Sequence, residues 1–173
     1  MNTSIEHISI EKVQQSRLSE VDFDNLTFGN TFTDHMFVCD YKDGVWQDAK
    51  IVPYGPLTIS PAAKVFHYGQ AVFEGMKAYK DDAGDVFLFR PEENFERINK
   101  SSKRMAIPEF PKEIFFEALH KLINLDKDWV QGGDGNSLYI RPFVMATQVG
   151  VSASPSDEYK FMILCCPVKA YYT

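Results

Sequence analysis

Apolar residues recur at helical spacing in two stretches of the chain. The stronger pattern runs from Lys112 to about Lys127, where charged side chains lie opposite an apolar stripe. That stripe consists of Ile114, Phe115, Ala118, Leu119, Leu122 and Ile123. The earlier stretch opens at Pro91–Glu93, whose acidic side chains suit the start of a helix. One side of this stretch carries Phe95, Ile98, Ser102 and Met105 at helical spacing. Both patterns predict amphipathic helices.

Shorter runs predict a β-hairpin and a further strand. Residues 31–41 are rich in aromatic and β-favouring types, Asp43-Gly44 is a hairpin turn signal, and residues 45–54 resume an extended pattern. A second turn at residues 82–84 precedes a short strand over residues 85–89. Between these strands, Ser60-Pro61 is a suitable helix start, because proline is tolerated in the first turn.

Two longer strands follow the helices. Residues 137–148 alternate, which places side chains on two opposite faces of a sheet. One face carries Tyr139, Arg141, Phe143 and Met145, and the other carries Leu138, Ile140 and Val144. Residues 158–172 are nearly all apolar, as expected of a strand covered on both faces. Because strands and helices mix without strict βαβ alternation, we predict an α+β fold, a mainly antiparallel sheet with flanking helices. The predicted domain spans residues 26–173, after a lead-in segment of residues 1–25.

Composition and charge narrow the class of protein. With 173 residues, 45% hydrophobic and 24% charged, the chain has enough apolar residues for one domain or for one half of a larger enzyme. Its net charge of −6, with scattered basic residues, argues against a nucleic-acid partner. The cysteines Cys39, Cys165 and Cys166 show no CxxC spacing and no clustering with histidine, which argues against a zinc site. We see no signal peptide and no apolar run of membrane-spanning length, so we predict a cytoplasmic protein with reduced thiols and no membrane partner.

Two arginines are candidates for binding an anion. Arg141 lies in the middle of a strand, on the face of Tyr139, and the pair could face a polar pocket; the alternative is a surface carboxylate partner. Arg90 lies where a strand meets a helix, beside free N–H groups that suit a phosphate. The alternative for Arg90 is an ion pair with Glu93 or Glu96.

The segment of residues 67–77, HYGQAVFEGMK, crowds aromatic, glycine and acidic residues into an apolar stretch. One interpretation is a core-packing helix that ends at Glu74-Gly75. On an ideal helix Tyr68 and Phe73 lie about 140° apart, so their spacing alone does not bring them into one pocket. No hydrolytic triad, P-loop or GxGxxG fingerprint is present.

Six ordered pieces of the sequence carry a resemblance to a known family. They are LTFGNTFTDHMF, HYGQAVFEGMKAY, FLFRP, LDKDWV, SLYIRPF and CPVKAYY. Together they resemble the N-terminal half of the branched-chain amino-acid aminotransferases, which are fold-type-IV pyridoxal-phosphate enzymes. The resemblance runs from about Leu26 to Tyr172. It implies transfer of an amino group between leucine, isoleucine or valine and 2-oxoglutarate.

The resemblance also implies roles for individual residues. The arginine of the FRP motif is Arg90, which would bind the phosphate of pyridoxal 5'-phosphate. The substrate side would be lined by Phe28, Tyr68, Phe73, Tyr139, Arg141 and Tyr171. Val151 matches a loop residue that reaches the site of the neighbouring subunit, so a homodimer is expected.

One element of the family pattern is not found. The resemblance places the Schiff-base lysine beyond Thr173, so no catalytic residue is assigned in this chain. Lys77 does not match its position and is expected to be a surface lysine. We therefore expect an N-terminal half or a truncated chain, inactive by itself. The alternative is a complete non-catalytic domain for assembly or ligand sensing.

Overall fold

A computed structural model describes residues 3–169, which form one sheet with helices. The α-helices are α1 (Lys64–Tyr68), α2 (Pro91–Arg104) and α3 (Lys112–Leu125), with 3₁₀ turns at Leu18–Glu20 and Lys127–Trp129. The first four strands are β1 (Ser9–Ile10), β2 (His35–Lys42), β3 (Val45–Pro53) and β4 (Ala71–Phe73). The remaining strands are β5 (Met76–Lys80), β6 (Val86–Leu88), β7 (Ser137–Ala146) and β8 (Tyr159–Val168).

The strands form a single sheet in the order β1-β3-β2-β8-β7-β5-β6, with β4 also paired to β7. Only the short β1–β3 pair is parallel among the strand pairs of residues 3–169. The long β7 and β8 run side by side in the middle, with Ser137 opposite Val168 and Ala146 opposite Tyr159. The predicted α+β fold with a mainly antiparallel sheet is therefore confirmed.

The β2–β3 hairpin forms where the sequence predicts it. Asp43 and Gly44 both have positive φ, 53° and 81°, as a tight two-residue turn with the twist of a hairpin requires. Asp and Gly adopt this conformation more readily than most residues.

The helices cover one face of the sheet. All six residues of the predicted stripe on α3 are buried, and so are Phe95, Ile98 and Ser102 on α2. They pack against sheet residues such as Phe37, Ile140 and Phe161, each no more than 1% exposed. Burying each such side chain contributes about 1.5–3 kcal/mol, so most of the stability comes from this face. We call it the covered face.

The opposite face carries the other residues of the alternating strands. Tyr139, Arg141, Phe143 and Met145 on β7 are only partly buried. On the neighbouring β8, Met162 and Cys166 are buried, whereas Lys160 and Leu164 are partly exposed. The expectation that this strand is buried on both faces therefore holds apart from these two positions. We call this second face the open face.

The secondary structure that follows Ser60 differs from the prediction. Helix α1 begins at Lys64 rather than at Ser60-Pro61, since a turn occupies residues 61–62. The interpretation of residues 67–77 as one core helix is wrong. Gly69, at φ 62°, ends α1 after five residues, and β4 and β5 then pair with β7. Residues 71–80 pair with β7 instead of forming a helix, because this pairing satisfies backbone N–H and C=O groups of both short strands.

The lead-in segment is tied to the same core. Ile8 is buried, and a buried polar network holds the segment at the start of β2. Asp34 there accepts hydrogen bonds from Ser16 Oγ at 2.5 Å and from Trp129 Nε1 at 3.0 Å. Next to it, His35 Nδ1 lies 2.6 Å from a carboxylate oxygen of Asp126, and both residues are buried. These contacts fix the lead-in against the end of α3.

Candidate functional site

Strand β7 brings two candidate residues together on the open face. Tyr139 and Arg141 are two residues apart, so they point to the same side of the sheet. Arg141 donates from Nε and Nη2 to the Tyr139 hydroxyl oxygen at 3.1 and 2.8 Å. No ion pair forms to Arg141 among residues 3–169, so the alternative of a carboxylate partner does not describe the structure.

Two further aromatic residues flank this pair; Phe28 is 43% exposed and Phe73 is 64% exposed. Phe73 on β4 pairs with Phe143, and its ring centroid lies 4.4 Å from the guanidinium carbon of Arg141. Phe28 approaches from the loop before β2, with its ring edge-on to Tyr139 and the two centroids 5.1 Å apart. Four of the predicted substrate-side residues thus form one cluster, which we call the aromatic slot: Phe28, Phe73, Tyr139 and Arg141.

Gly75 lies directly against the aromatic slot, although the sequence suggested only that it ends a helix. A Cβ atom at this position would lie 2.4 Å from the Tyr139 hydroxyl oxygen, closer than real atoms approach. Only glycine lets the tyrosine take its observed place against the backbone. The signal in the sequence was the glycine itself, between two short apolar runs that are strands rather than one helix.

Tyr68 and Val151 form a second pair. Tyr68 is the last residue of α1, and its hydroxyl donates to the backbone carbonyl of Val151. The loop that carries Val151 is also fixed by the buried Lys64, whose ammonium group donates to the Ser154 carbonyl at 3.0 Å and to the Pro155 carbonyl at 3.1 Å. Val151 itself is 65% exposed. Sequence reasoning did not identify the role of Lys64.

Arg90 lies apart from these two groups, immediately before α2. Its backbone has φ 47° and ψ 52°, the left-handed region that non-glycine residues rarely adopt. Its Nη2 atom donates to Glu93 Oε1 at 2.6 Å, so the predicted alternative of an ion pair with Glu93 is confirmed. The Arg90 side chain is 65% exposed and borders a groove of about 770 Å³ with His120 and Lys127. The remaining candidate, Tyr171, lies outside the described residues.

Burial raises the pKa of the three cysteine thiols. Burial raises the pKa of Cys39 to about 12 and raises the pKa of Cys165 well above its usual value. Cys166, opposite Tyr139 in the sheet, also has a raised pKa because it is buried. Protonated thiols are poor nucleophiles, so these residues contribute packing rather than chemistry.

No group of three or more His, Cys, Asp or Glu residues in 3–169 is arranged to hold a metal ion. No helix in the same range is both long and apolar enough to cross a membrane.

Comparison with solved structures identifies the class of fold. A branched-chain aminotransferase from Thermoproteus uzoniensis with norvaline matches 80% of this chain and 43% of its own, at 22% identity and a TM-score of 0.62. A T.th. branched-chain aminotransferase with pyridoxamine 5'-phosphate matches 78% of this chain and 41% of its own, at 26% identity and a TM-score of 0.55. The fold is that of the fold-type-IV aminotransferases.

Sequence comparison identifies the family within that class. No protein-family model matches the chain. However, branched-chain-amino-acid transaminase 1 of Bacillus subtilis is 52% identical over 149 residues, which are 86% of this chain and 42% of the relative. The chain belongs to the branched-chain aminotransferases, and it fits their N-terminal domain. It spans less than half the length of the curated relatives it matches.

Proposed function

We propose that the full-length protein transfers an amino group between leucine, isoleucine or valine and 2-oxoglutarate, in the cytoplasm and with pyridoxal 5'-phosphate as cofactor. The observation that carries the proposal is the aromatic slot. Its residues come from three separate parts of the chain and flank one guanidinium on the open face. The relatives described above are named as branched-chain aminotransferases.

The aromatic slot suits both proposed substrates. Aromatic walls accept a branched apolar side chain by shape, which discriminates by about 1–3 kcal/mol for each methylene group. A guanidinium in such surroundings is the group best suited to bind a carboxylate, and 2-oxoglutarate has a second carboxylate where leucine has methyl groups. We therefore assign Phe28, Phe73 and Tyr139 to the apolar wall and Arg141 to the carboxylate.

The chemistry of Arg90 fits the phosphate of the cofactor. Its planar guanidinium has several N–H donors, and Glu93 Oε1 engages Nη2. When bound, pyridoxal phosphate supplies the electron sink that amino transfer requires. In this proposal, Arg90 fixes the phosphate end of the cofactor.

We further propose that the protein is a homodimer in which Val151 reaches the neighbouring site. Support comes from exposed apolar side chains in and near the Tyr68–Val151 pair. Phe66, Val149 and Val151 are 62%, 64% and 65% exposed. Apolar groups left in contact with water at one place are typical of an interface between proteins. Tyr171 stays a predicted substrate-side residue.

Turnover of leucine with 2-oxoglutarate tests the proposed function. The purified full-length protein with added pyridoxal phosphate is expected to convert leucine, isoleucine and valine, whereas residues 1–173 alone are expected to be inactive. Failure of the full-length protein on all three amino acids would overturn the proposal and favour a non-catalytic domain. Sedimentation of the full-length protein tests the dimer, and a monomer at assay concentration would contradict it.

A further inference from the structure

Glu74 is a buried carboxylate beside the aromatic slot that none of the proposed steps uses. It is 5% exposed, yet it has a full set of partners. Arg97 donates to it from Nε and from Nη2, the latter at 2.7 Å, and Asn94 Nδ2 donates to it at 3.0 Å. Burial by itself raises the pKa of the Glu74 carboxyl, but these hydrogen bonds outweigh it and hold the pKa below its usual value. The hydrogen bonds from Arg97 and Asn94 therefore favour the ionised form of the carboxyl group.

On one side, Glu74 is continuous with the wall of the aromatic slot. Its neighbours in the chain are Phe73, which lies under the Arg141 guanidinium, and Gly75, which lies against the Tyr139 hydroxyl. The backbone N–H of Glu74 donates to the Pro142 carbonyl at 2.8 Å, which fixes the turn between β4 and β5 on strand β7. A movement of Glu74 would therefore move two walls of the slot at once.

On the other side, Glu74 binds the first two turns of α2. Asn94 and Arg97 are three residues apart and lie on the same face of this helix. Asn94 Nδ2 also donates to the Gly75 carbonyl at 3.1 Å. Helix α2 starts directly after Arg90, whose backbone carbonyl accepts a hydrogen bond from the Glu93 N–H in the first turn of the helix, at 3.2 Å. The helix that sets the position of Arg90 is thus bound to the turn that sets the position of Phe73.

We propose that Glu74 is a positioning residue that couples the aromatic slot to the phosphate-binding arginine through Asn94 and Arg97. The inference rests on the proposed function, because the two ends that it links are the substrate side and the cofactor side. If Glu74 has this role, the distance and orientation between the aromatic slot and Arg90 stay fixed. Such a relation matters for catalysis, because a displacement of about 1 Å can cost about 100-fold in rate.

The first test is the variant Glu74→Gln in the full-length protein, which keeps the shape of the side chain and removes its charge. We expect kcat/KM for leucine to fall about 10- to 100-fold. The concentration of pyridoxal phosphate that gives half-maximal activity should rise in the same variant. Glu74→Asp, which keeps the charge, should recover part of both losses. A variant that is less stable but unchanged in both values would show a purely structural role and would overturn the proposal.

A matched control is available on α3. Glu117 pairs with Lys121 at 2.7 Å, and both side chains are about 40% exposed on a helix remote from the aromatic slot. Glu117→Gln removes the same charge from an ion pair and should change neither kinetic value. If Glu74→Gln does not fold, Arg97→Lys replaces it, because that side chain is 65% exposed. Lysine keeps the charge but loses the two-pronged contact, so smaller changes in the same directions are expected.

A second measurement does not depend on activity. Amide hydrogen exchange in full-length Glu74→Gln should become about tenfold faster in residues 73–76 and in residues 90–97 together. Faster exchange in only one of the two segments would overturn the coupling. If the wild-type protein fails to convert any branched-chain amino acid, the proposed function falls, while the exchange experiment still decides whether Glu74 links the two segments.

Discussion

The two faces of the sheet are built from the same strands but differ in almost every other respect. On β7, Leu138, Ile140 and Val144 face the helices and are no more than 1% exposed. The alternate residues Tyr139 and Arg141 face outward and bond to each other. The covered face therefore supplies stability, and the open face supplies groups that a ligand can reach. A period of two residues lets one strand serve both purposes.

This division predicts that mutations on the covered face mainly affect stability and that mutations on the open face mainly affect function. A change on the covered face should lower the free energy of unfolding. A change on the open face should lower the free energy of unfolding less and should alter ligand-dependent behaviour. The following variants test that separation in order of decreasing effect on stability.

The largest effect is expected from Phe161→Ala on β8. Phe161 is 1% exposed and stacks on Phe110 with ring centroids 3.9 Å apart. Removing it leaves a cavity in the covered face and should cost about 3–5 kcal/mol. Urea unfolding measures the loss. Leu164→Ala, on the open side of the same strand, is the control and should cost less. Equal losses would contradict the division between the faces.

A smaller effect is expected from Gly75→Ala. The added methyl group meets the Tyr139 hydroxyl, so the tyrosine ring has to move. Overpacking of this kind costs about 1–3 kcal/mol. Thermal unfolding measures the cost, and the near-UV circular dichroism of the tyrosines reports the movement. Gly55→Ala is the control, because no atom lies within 4 Å of its added methyl group. Identical behaviour of the two variants would show that Tyr139 does not depend on Gly75.

Replacing Arg141 should affect stability least and activity most. Its side chain is only partly buried, so Arg141→Met should change the free energy of unfolding by less than about 1 kcal/mol. In the full-length protein, the same variant should lower kcat/KM for 2-oxoglutarate about 10- to 100-fold, because the carboxylate loses its cation. Lys121→Met on α3 removes a cation from the other side of the sheet and is the control. Unchanged 2-oxoglutarate kinetics in Arg141→Met would remove this residue from the proposed site.

The dependence of stability on pH tests the contribution of Asp34, at the start of β2. Burial raises the pKa of Asp34, but hydrogen bonds from Arg17, Ser16 and Trp129 outweigh it, so its folded pKa lies below its unfolded value of about 3.9. The stabilisation by this carboxylate is complete above the unfolded value and is lost as the pH falls through the folded one. Stability measured from about pH 5 downward should therefore fall less steeply in Asp34→Asn than in the wild type. Equal slopes would show that Asp34 does not contribute to acid unfolding.

The sequence predicted those parts of the fold that depend on local periodicity. The apolar stripe of α3 and the alternation along β7 correspond to the observed burial residue by residue. The helical interpretation of residues 67–77 is wrong because β4 and β5 are three and five residues long, too short to show a period. Their strand pairing depends on β7, which lies beyond both long helices in the chain.

The candidate site was predictable only in part for a similar reason. Resemblance supplied its members, and the structure brought four of them into the aromatic slot. The contacts that fix the slot and the Val151 loop join residues distant in sequence, namely Glu74 with Arg97 and Lys64 with Ser154. No spacing along the chain reveals such contacts, because they are set by how strands and helices pack. The roles of Gly75 and Glu74 therefore became visible only in three dimensions.

The position of β8 has a consequence for how the protein folds during synthesis. Among the described strands it is the last to be made, yet it lies between β2 and β7 in the sheet. The β2–β3 hairpin and the β5–β7 ladder both leave the ribosome before it, each with an unpaired edge. Until β8 arrives these edges are open to pairing with other chains, which makes them sites of aggregation. A substitution that slows the docking of β8 would lower the yield of folded protein even where it leaves the finished structure unchanged.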